Sequence, residues 1–188
     1  MLINFSVTNI PDSVNLEELY LLDTSVLGAF AVPERQLADY KNSDRRYSES
    51  RIKIRNAILS GNFRSGVITP AVYQEVEGVC RHRKYEDKRT YENNIAQLKN
   101  NSDCRIYEIG IPRSIFAKLP DDIQKQLDRG ARTTVATSMT ARIPNIVTDD
   151  DAVFSLQKRL KKIYEKKRVD EKRLEIMDSN CFVFSRKL

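Results

Sequence analysis

Short runs of apolar residues punctuate this chain, and between them apolar positions recur every third or fourth residue. Five runs read as strands: Glu18 to Asp23, Gly66 to Thr69, Cys104 to Ile109, Asn145 to Thr148 and Leu174 to Met177, each rich in branched or aromatic side chains. Helical spacing lies between them. Thr69 followed by Pro70 predicts a helix that starts with a cap and a proline at its first position and continues to about Arg81. Tyr91, Ile95 and Leu98 predict a second helix, Val135 and Met139 a third, and Val153, Leu156, Leu160 and Ile163 a fourth. Strands alternating with helices of this length imply a mainly parallel sheet covered on both faces. The expected fold is therefore α/β, a three-layer α/β/α arrangement around about five strands. Residues 1–16 read as an extension before the first strand, and residues 155–188 as a basic helix followed by the last strand.

Two of the apolar runs end in acids. The run Leu19-Tyr20-Leu21-Leu22 stops at Asp23, which opens the turn Asp23-Thr24-Ser25, and the run from Ile143 to Val147 stops at Thr148-Asp149-Asp150-Asp151. In an open parallel sheet the ligand crevice lies outside the carboxyl ends of the strands, so these acids converge if both strands belong to one sheet. Clustered carboxylates call for a divalent cation. A further carboxylate is expected near the start of the helix after the second strand, where Glu75 and Glu77 are the candidates. Two residues apart on a helix is about 200° of rotation, so only one of them can face the crevice.

Length and charge narrow the class. A chain of 188 residues fits a single domain that can bury a core without disulfides. Lys and Arg number 32 against 26 acids, a net charge of +6, and the surplus is concentrated. Between Ser155 and Arg173 nine bases face three acids, and between Arg35 and Arg55 seven face three. Bases grouped this way favour a phosphate-rich partner, with nucleic acid the leading candidate. Tyr47, Tyr85, Tyr91 and Tyr164 sit among them and are candidates for stacking on unpaired bases, although packing explains most such aromatics. Cys80, Cys104 and Cys181 form neither a disulfide framework nor a metal-binding spacing, and no stretch approaches a membrane span. The expectation is a soluble cytoplasmic protein. His82 is the only histidine, which excludes any mechanism built on a histidine pair.

The segments Leu21-Leu22-Asp23-Thr24-Ser25-Val26-Leu27, Ile68 to Val76, and Ile146-Val147-Thr148-Asp149-Asp150 resemble, in that order, the acidic motifs of the PIN-domain nucleases. The ordered set spans residues 18 to about 154. The resemblance implies an α/β/α sheet, a cluster of acids that binds Mg²⁺ or Mn²⁺, and hydrolysis of RNA phosphodiester bonds. By position Asp23, Glu75 and Asp150 carry over as catalytic residues and metal ligands, with Ser25 and Thr148 as polar neighbours. Arg132, Lys158, Arg159, Lys161 and Lys162 are the bases expected to contact RNA. A toxin-like role, with a homodimer or an antitoxin-like protein as partner, is a further expectation.

One position departs from the family pattern. The acid usual at the start of the helix before the last motif falls on Arg132 or, in another register, on Ala131. Asp128, one helical turn earlier, and Asp151 are the available substitutes. Losing a carboxylate weakens cation binding, whereas an arginine there can hold a scissile phosphate. Three functional classes follow: a metal-dependent endoribonuclease, a catalytically depleted module that binds RNA or a protein without cutting, and a structural subunit whose basic helix docks an acidic partner.

Overall fold

The computed structural model describes residues 7–8, 14–43, 46–63, 65–82, 93, 107–109, 119–167 and 173–188. Its six strands are β1 (Val7–Thr8), β2 (Tyr20–Leu22), β3 (Gly66–Ile68), β4 (Tyr107–Ile109), β5 (Asn145–Val147) and β6 (Glu175–Met177). They form one sheet in the order β1-β4-β3-β2-β5-β6, in which only the β1–β4 pair is antiparallel. The central strand β2 thus lies between β3 and β5. Leu21 is in register with Val67 on one side and Ile146 on the other.

Helices flank this sheet: α1 (Thr24–Leu27), α2 (Leu37–Ser43), α3 (Ser48–Leu59), α4 (Pro70–His82), α5 (Asp121–Gln124), α6 (Arg129–Ala141), α7 (Asp151–Lys167) and α8 (Ser179–Arg186). Successive strand residues point to opposite faces, and here both faces are covered. Leu21, Val67 and Ile146 pack with Ile123, Val135, Leu156, Leu160 and Tyr164 from α5, α6 and α7. Leu22, Ile68 and Val147 pack with Val26, Ile54, Ile58, Val72, Val76 and Phe182 from α1, α3, α4 and α8. This is why the strands read as unbroken apolar runs rather than alternating ones, and it is compatible with three layers.

Local chemistry sets the helix boundaries near the site. Thr69 caps α4 by accepting from the Val72 amide at 3.3 Å, ahead of Pro70. Asp128 caps α6 by accepting from the Ala131 amide at 2.8 Å. Along α7, Val153, Leu156, Leu160 and Tyr164 are buried while Lys158, Arg159 and Lys162 are exposed, the stripe of a helix with one face on the core.

Four expectations are corrected. Among the described residues the sheet has six strands rather than about five, because Val7–Thr8 in the supposed extension adds an antiparallel edge to β4. The first parallel strand begins at Tyr20, since Leu16–Glu18 form a 3₁₀ turn capped by the Asn15 side chain. The chain closes with a helix, α8, beyond the last strand. Tyr47 and Tyr164 are buried packing residues, so neither is a stacking platform. The helix expected through Tyr91, Ile95 and Leu98 lies outside the described residues, as does Tyr85. Among the described residues, no helix is long and apolar enough to cross a membrane.

Candidate functional site

Asp23 sits where β2 ends and α1 begins, and its amide donates to the Val147 carbonyl of β5 at 3.0 Å. The residue is only 3% exposed. Its Oδ2 accepts two hydroxyl bonds, from Ser25 Oγ at 2.8 Å and from Thr148 Oγ1 at 2.9 Å. Its Oδ1 is buried and has no hydrogen-bond partner. Burial pushes the carboxyl up from its ordinary 3.8 to about 6; the Ser25 and Thr148 hydroxyls oppose that rise and the negative charge of Asp128 adds to it.

Glu75, in the second turn of α4, comes to the same locality from the neighbouring strand. Thr24 Oγ1 donates to its Oε2 at 2.7 Å, and Gly130 at the start of α6 lies against the same oxygen. Its carboxyl is raised, chiefly by burial; Asp128 adds to the rise, while Thr24, the Gly130 amide and Arg129 act against it. Asp128 is therefore close enough to act electrostatically on both Asp23 and Glu75, even though its Oδ1 is occupied in capping α6.

The three consecutive acids after β5 have separate fates. Asp149 turns into the protein, where Oδ1 accepts from the Ser179 amide at 2.8 Å and Oδ2 accepts from Ser179 Oγ at 3.0 Å and Arg51 Nε at 2.8 Å. Asp150 remains half-buried beside the site: its amide donates to Thr148 Oγ1 at 3.1 Å, and its Oδ1 accepts from the Ala152 amide at 2.8 Å. Asp151 projects to solvent, its side chain 87% exposed, and pairs with Arg46 at 3.7 Å. Ser25 Oγ also accepts from the Asp149 amide at 2.9 Å, so the two hydroxyls on Asp23 hold the 148–150 turn as well.

The structure thus gathers Asp23, Glu75, Asp128, Ser25 and Thr148 around the carboxyl ends of β2 and β5, with Asp150 one hydrogen bond removed from Asp23 through Thr148. As the side chains stand among the described residues, no three His, Cys, Asp or Glu form a group able to hold a metal ion.

The expected bases divide similarly. Arg132 is half-buried and donates through Nη2 to the Leu127 carbonyl at 3.1 Å, while its buried Nε has no partner. On α7, Lys158 and Lys162 are exposed, Lys161 is half-buried, and Arg159 pairs with Asp122. The Arg35–Arg55 stretch divides: Arg51 and Arg55 are taken up by internal pairs, whereas Arg35, Lys41, Arg46 and Lys53 are exposed. Arg55 is 2% exposed and paired with Glu34 at 2.8 Å, Arg51 holds Asp149, and Lys41 and Lys53 lie beside Glu49 at 3.4 and 4.0 Å. Sequence reasoning missed Thr24, Gly130, Arg51 and Ser179 as residues that shape the site. Only Thr24 left a signal, as a hydroxyl next to a strand-end acid.

No family model, curated protein or solved structure matches this chain.

Proposed function

We propose that the chain is a PIN-like, metal-dependent endoribonuclease that hydrolyses RNA phosphodiester bonds at the pocket around Asp23. The observation that carries this reading is the buried Oδ1 of Asp23, left without a partner while two hydroxyls hold Oδ2. An uncompensated buried carboxylate is a large local cost, and it is of use where a cation or an ordered water meets the open oxygen. Every candidate ligand is an oxygen, the donor chemistry that Mg²⁺ or Mn²⁺ takes, and the carboxylates would have to draw together to hold one.

In this reading Asp23 and Asp150 hold the cation directly or through water, and Glu75 orients a water or accepts its proton. Asp128 stands in for the acid that Arg132 replaces, adding negative charge beside Asp23 and Glu75. A bound divalent ion supplies Lewis-acid polarisation of the phosphate and lowers the pKa of a coordinated water. Ser25 and Thr148 fix the Asp23 carboxylate, and the exposed lysines of α7 attract the RNA backbone.

A second reading is a depleted module that binds RNA without cutting, favoured by the absence of a ready-formed group of three ligands among the described residues. Mn²⁺ should raise the melting temperature of the wild type and leave Asp23→Asn unmoved; equal shifts in both count against a metal site at Asp23. Cleavage of an RNA pool in Mn²⁺, abolished by chelator and by Asp23→Asn, selects the nuclease. Salt-sensitive RNA binding with no cleavage selects the module.

A further inference from the structure

Gly130 occupies the second position of α6, a 13-residue helix, and its backbone does not require glycine: among the described glycines only Gly61 has a positive φ. Glycine inside a helix is about 1 kcal/mol worse than alanine, so its presence here wants a spatial reason. The surroundings provide one. A Cβ on Gly130 would stand 2.1 Å from Glu75 Oε2, 2.9 Å from Glu75 Cδ and 2.8 Å from Thr24 Oγ1. The missing side chain is the space in which the Glu75 carboxylate lies, with the Thr24 hydroxyl 2.7 Å away from the same oxygen.

We propose that Thr24 and Gly130 are positioning residues for Glu75, together pinning Oε2 against the start of α6 so that Oε1 is the oxygen presented to the cation or the attacking water. The inference rests on the nuclease reading and deepens it. Two segments meet at one carboxylate oxygen: Thr24, after the strand-end acid Asp23, donates to Oε2, and Gly130, after the capping acid Asp128, leaves the space in which that oxygen lies. A carboxylate held through one oxygen presents the other in a defined direction. The charges that face it are Asp128 and Arg129 at the start of α6, with Asp23 beside Thr24.

The glycines of α4 and α6 supply an internal contrast. Gly78 lies on α4 one turn from Glu75, and a Cβ there meets nothing within 4 Å. Gly78→Ala should keep wild-type cleavage, whereas Gly130→Ala should lose it because the methyl group evicts Glu75. Thr24→Val keeps the shape and removes the donor; kcat should fall about tenfold at pH 7 while KM stays within about twofold, and Thr24→Ser should restore most of the rate.

The decisive measurement is that kcat–KM split, paired with the NMR rotamer populations of the Glu75 side chain in wild type, Thr24→Val, Thr24→Ser and Gly130→Ala. One dominant rotamer in wild type and Thr24→Ser, lost together with the rate in Thr24→Val and Gly130→Ala, supports the proposal. Cleavage and rotamer populations unchanged in both Thr24→Val and Gly130→Ala overturn it and leave the nuclease reading standing. A wild type that cuts no RNA in Mg²⁺ or Mn²⁺ sinks the nuclease reading and the proposed role in its reaction.

Discussion

Thr148 Oγ1 donates to Asp23 Oδ2 across 125 residues of sequence, at 2.9 Å, and so ties the end of β5 to the end of β2. The same hydroxyl oxygen accepts from the Asp150 amide, so one threonine orients two of the proposed ligands. Adjacent parallel strands in register, Leu22 beside Val147, leave their first residues beyond the sheet side by side. The site is therefore a consequence of strand order and register, completed by two hydroxyls.

The buried charge of Asp23 gives the first prediction. Its folded carboxyl takes up a proton near pH 6, against 3.8 ordinarily, so between these values the native state binds more protons than the unfolded one. Stability from this group accordingly rises as pH falls from about 6 towards 4, and above pH 6 the charge is a standing cost of the order of 3 kcal/mol. Asp23→Asn should be more stable than wild type at pH 7.5 without metal, by about 1–3 kcal/mol, and inactive. Urea denaturation at pH 7.5 and pH 4.5 checks it: the advantage of the variant should shrink at the lower pH, and an advantage of the same size at both refutes the assignment.

The acids at 149 and 150 should behave oppositely despite being neighbours. The Asp149 side chain is fully buried against Arg51 and Ser179, so Asp149→Ala removes the carboxylate paired with Arg51 and the acceptor of two Ser179 donors, at about 3–5 kcal/mol. Asp150→Ala removes one cap bond to Ala152 and should lose only about 1 kcal/mol. It should also weaken the Mn²⁺-induced melting shift, which a folded Asp149→Asn should largely retain. Calorimetric melting with and without Mn²⁺ separates the two.

These contrasts show where sequence reasoning holds and where it stops. Asp23, Ser25 and Thr148 were legible because an apolar run that ends in polar residues marks a strand end, and parallel strands end on one edge. Thr69-Pro70 marked the start of α4 through local capping chemistry, and Glu75 followed from it. The role of Asp149 was hidden, since its partners Arg51 and Ser179 lie 98 and 30 residues away. Arg55 reads as a free base in the sequence for the same reason: Glu34 neutralises it only once the chain has folded. Two-residue β1 is too short to carry a period, and Gly130 announces nothing until Glu75 is seen in its empty Cβ position.

The aromatic cluster beneath β2 should govern stability rather than chemistry. Phe182 of α8 meets Tyr20 at 5.1 Å and Phe63 at 5.2 Å between ring centroids, on the face of the sheet that packs α3 and α4. Phe182→Ala should cost about 3–5 kcal/mol, since a fully buried ring leaves a cavity that β2 and α3 can only partly fill. Chemical denaturation reads the loss, and a change under about 1 kcal/mol would show that α8 is not part of the cooperative core.

RNA affinity should depend on the exposed face of α7 in a way that salt reveals. Lys158 and Lys162 are four residues apart, about 6 Å along the helix axis, and both are exposed. Arg159 lies between them in sequence but is paired with Asp122, so its charge is partly spent within the protein. Each phosphate contact on a single strand contributes about 0.7 to the slope of log affinity against log salt. The double variant Lys158→Gln, Lys162→Gln should therefore lower that slope by about 1.4, and Asp122→Asn should strengthen binding by releasing Arg159. Filter binding of a short single-stranded RNA between low and moderate salt measures both. An unchanged slope in the double variant would move the RNA path off α7, and a drop in affinity for Asp122→Asn would mean that the Arg159 pair organises the surface instead of masking it.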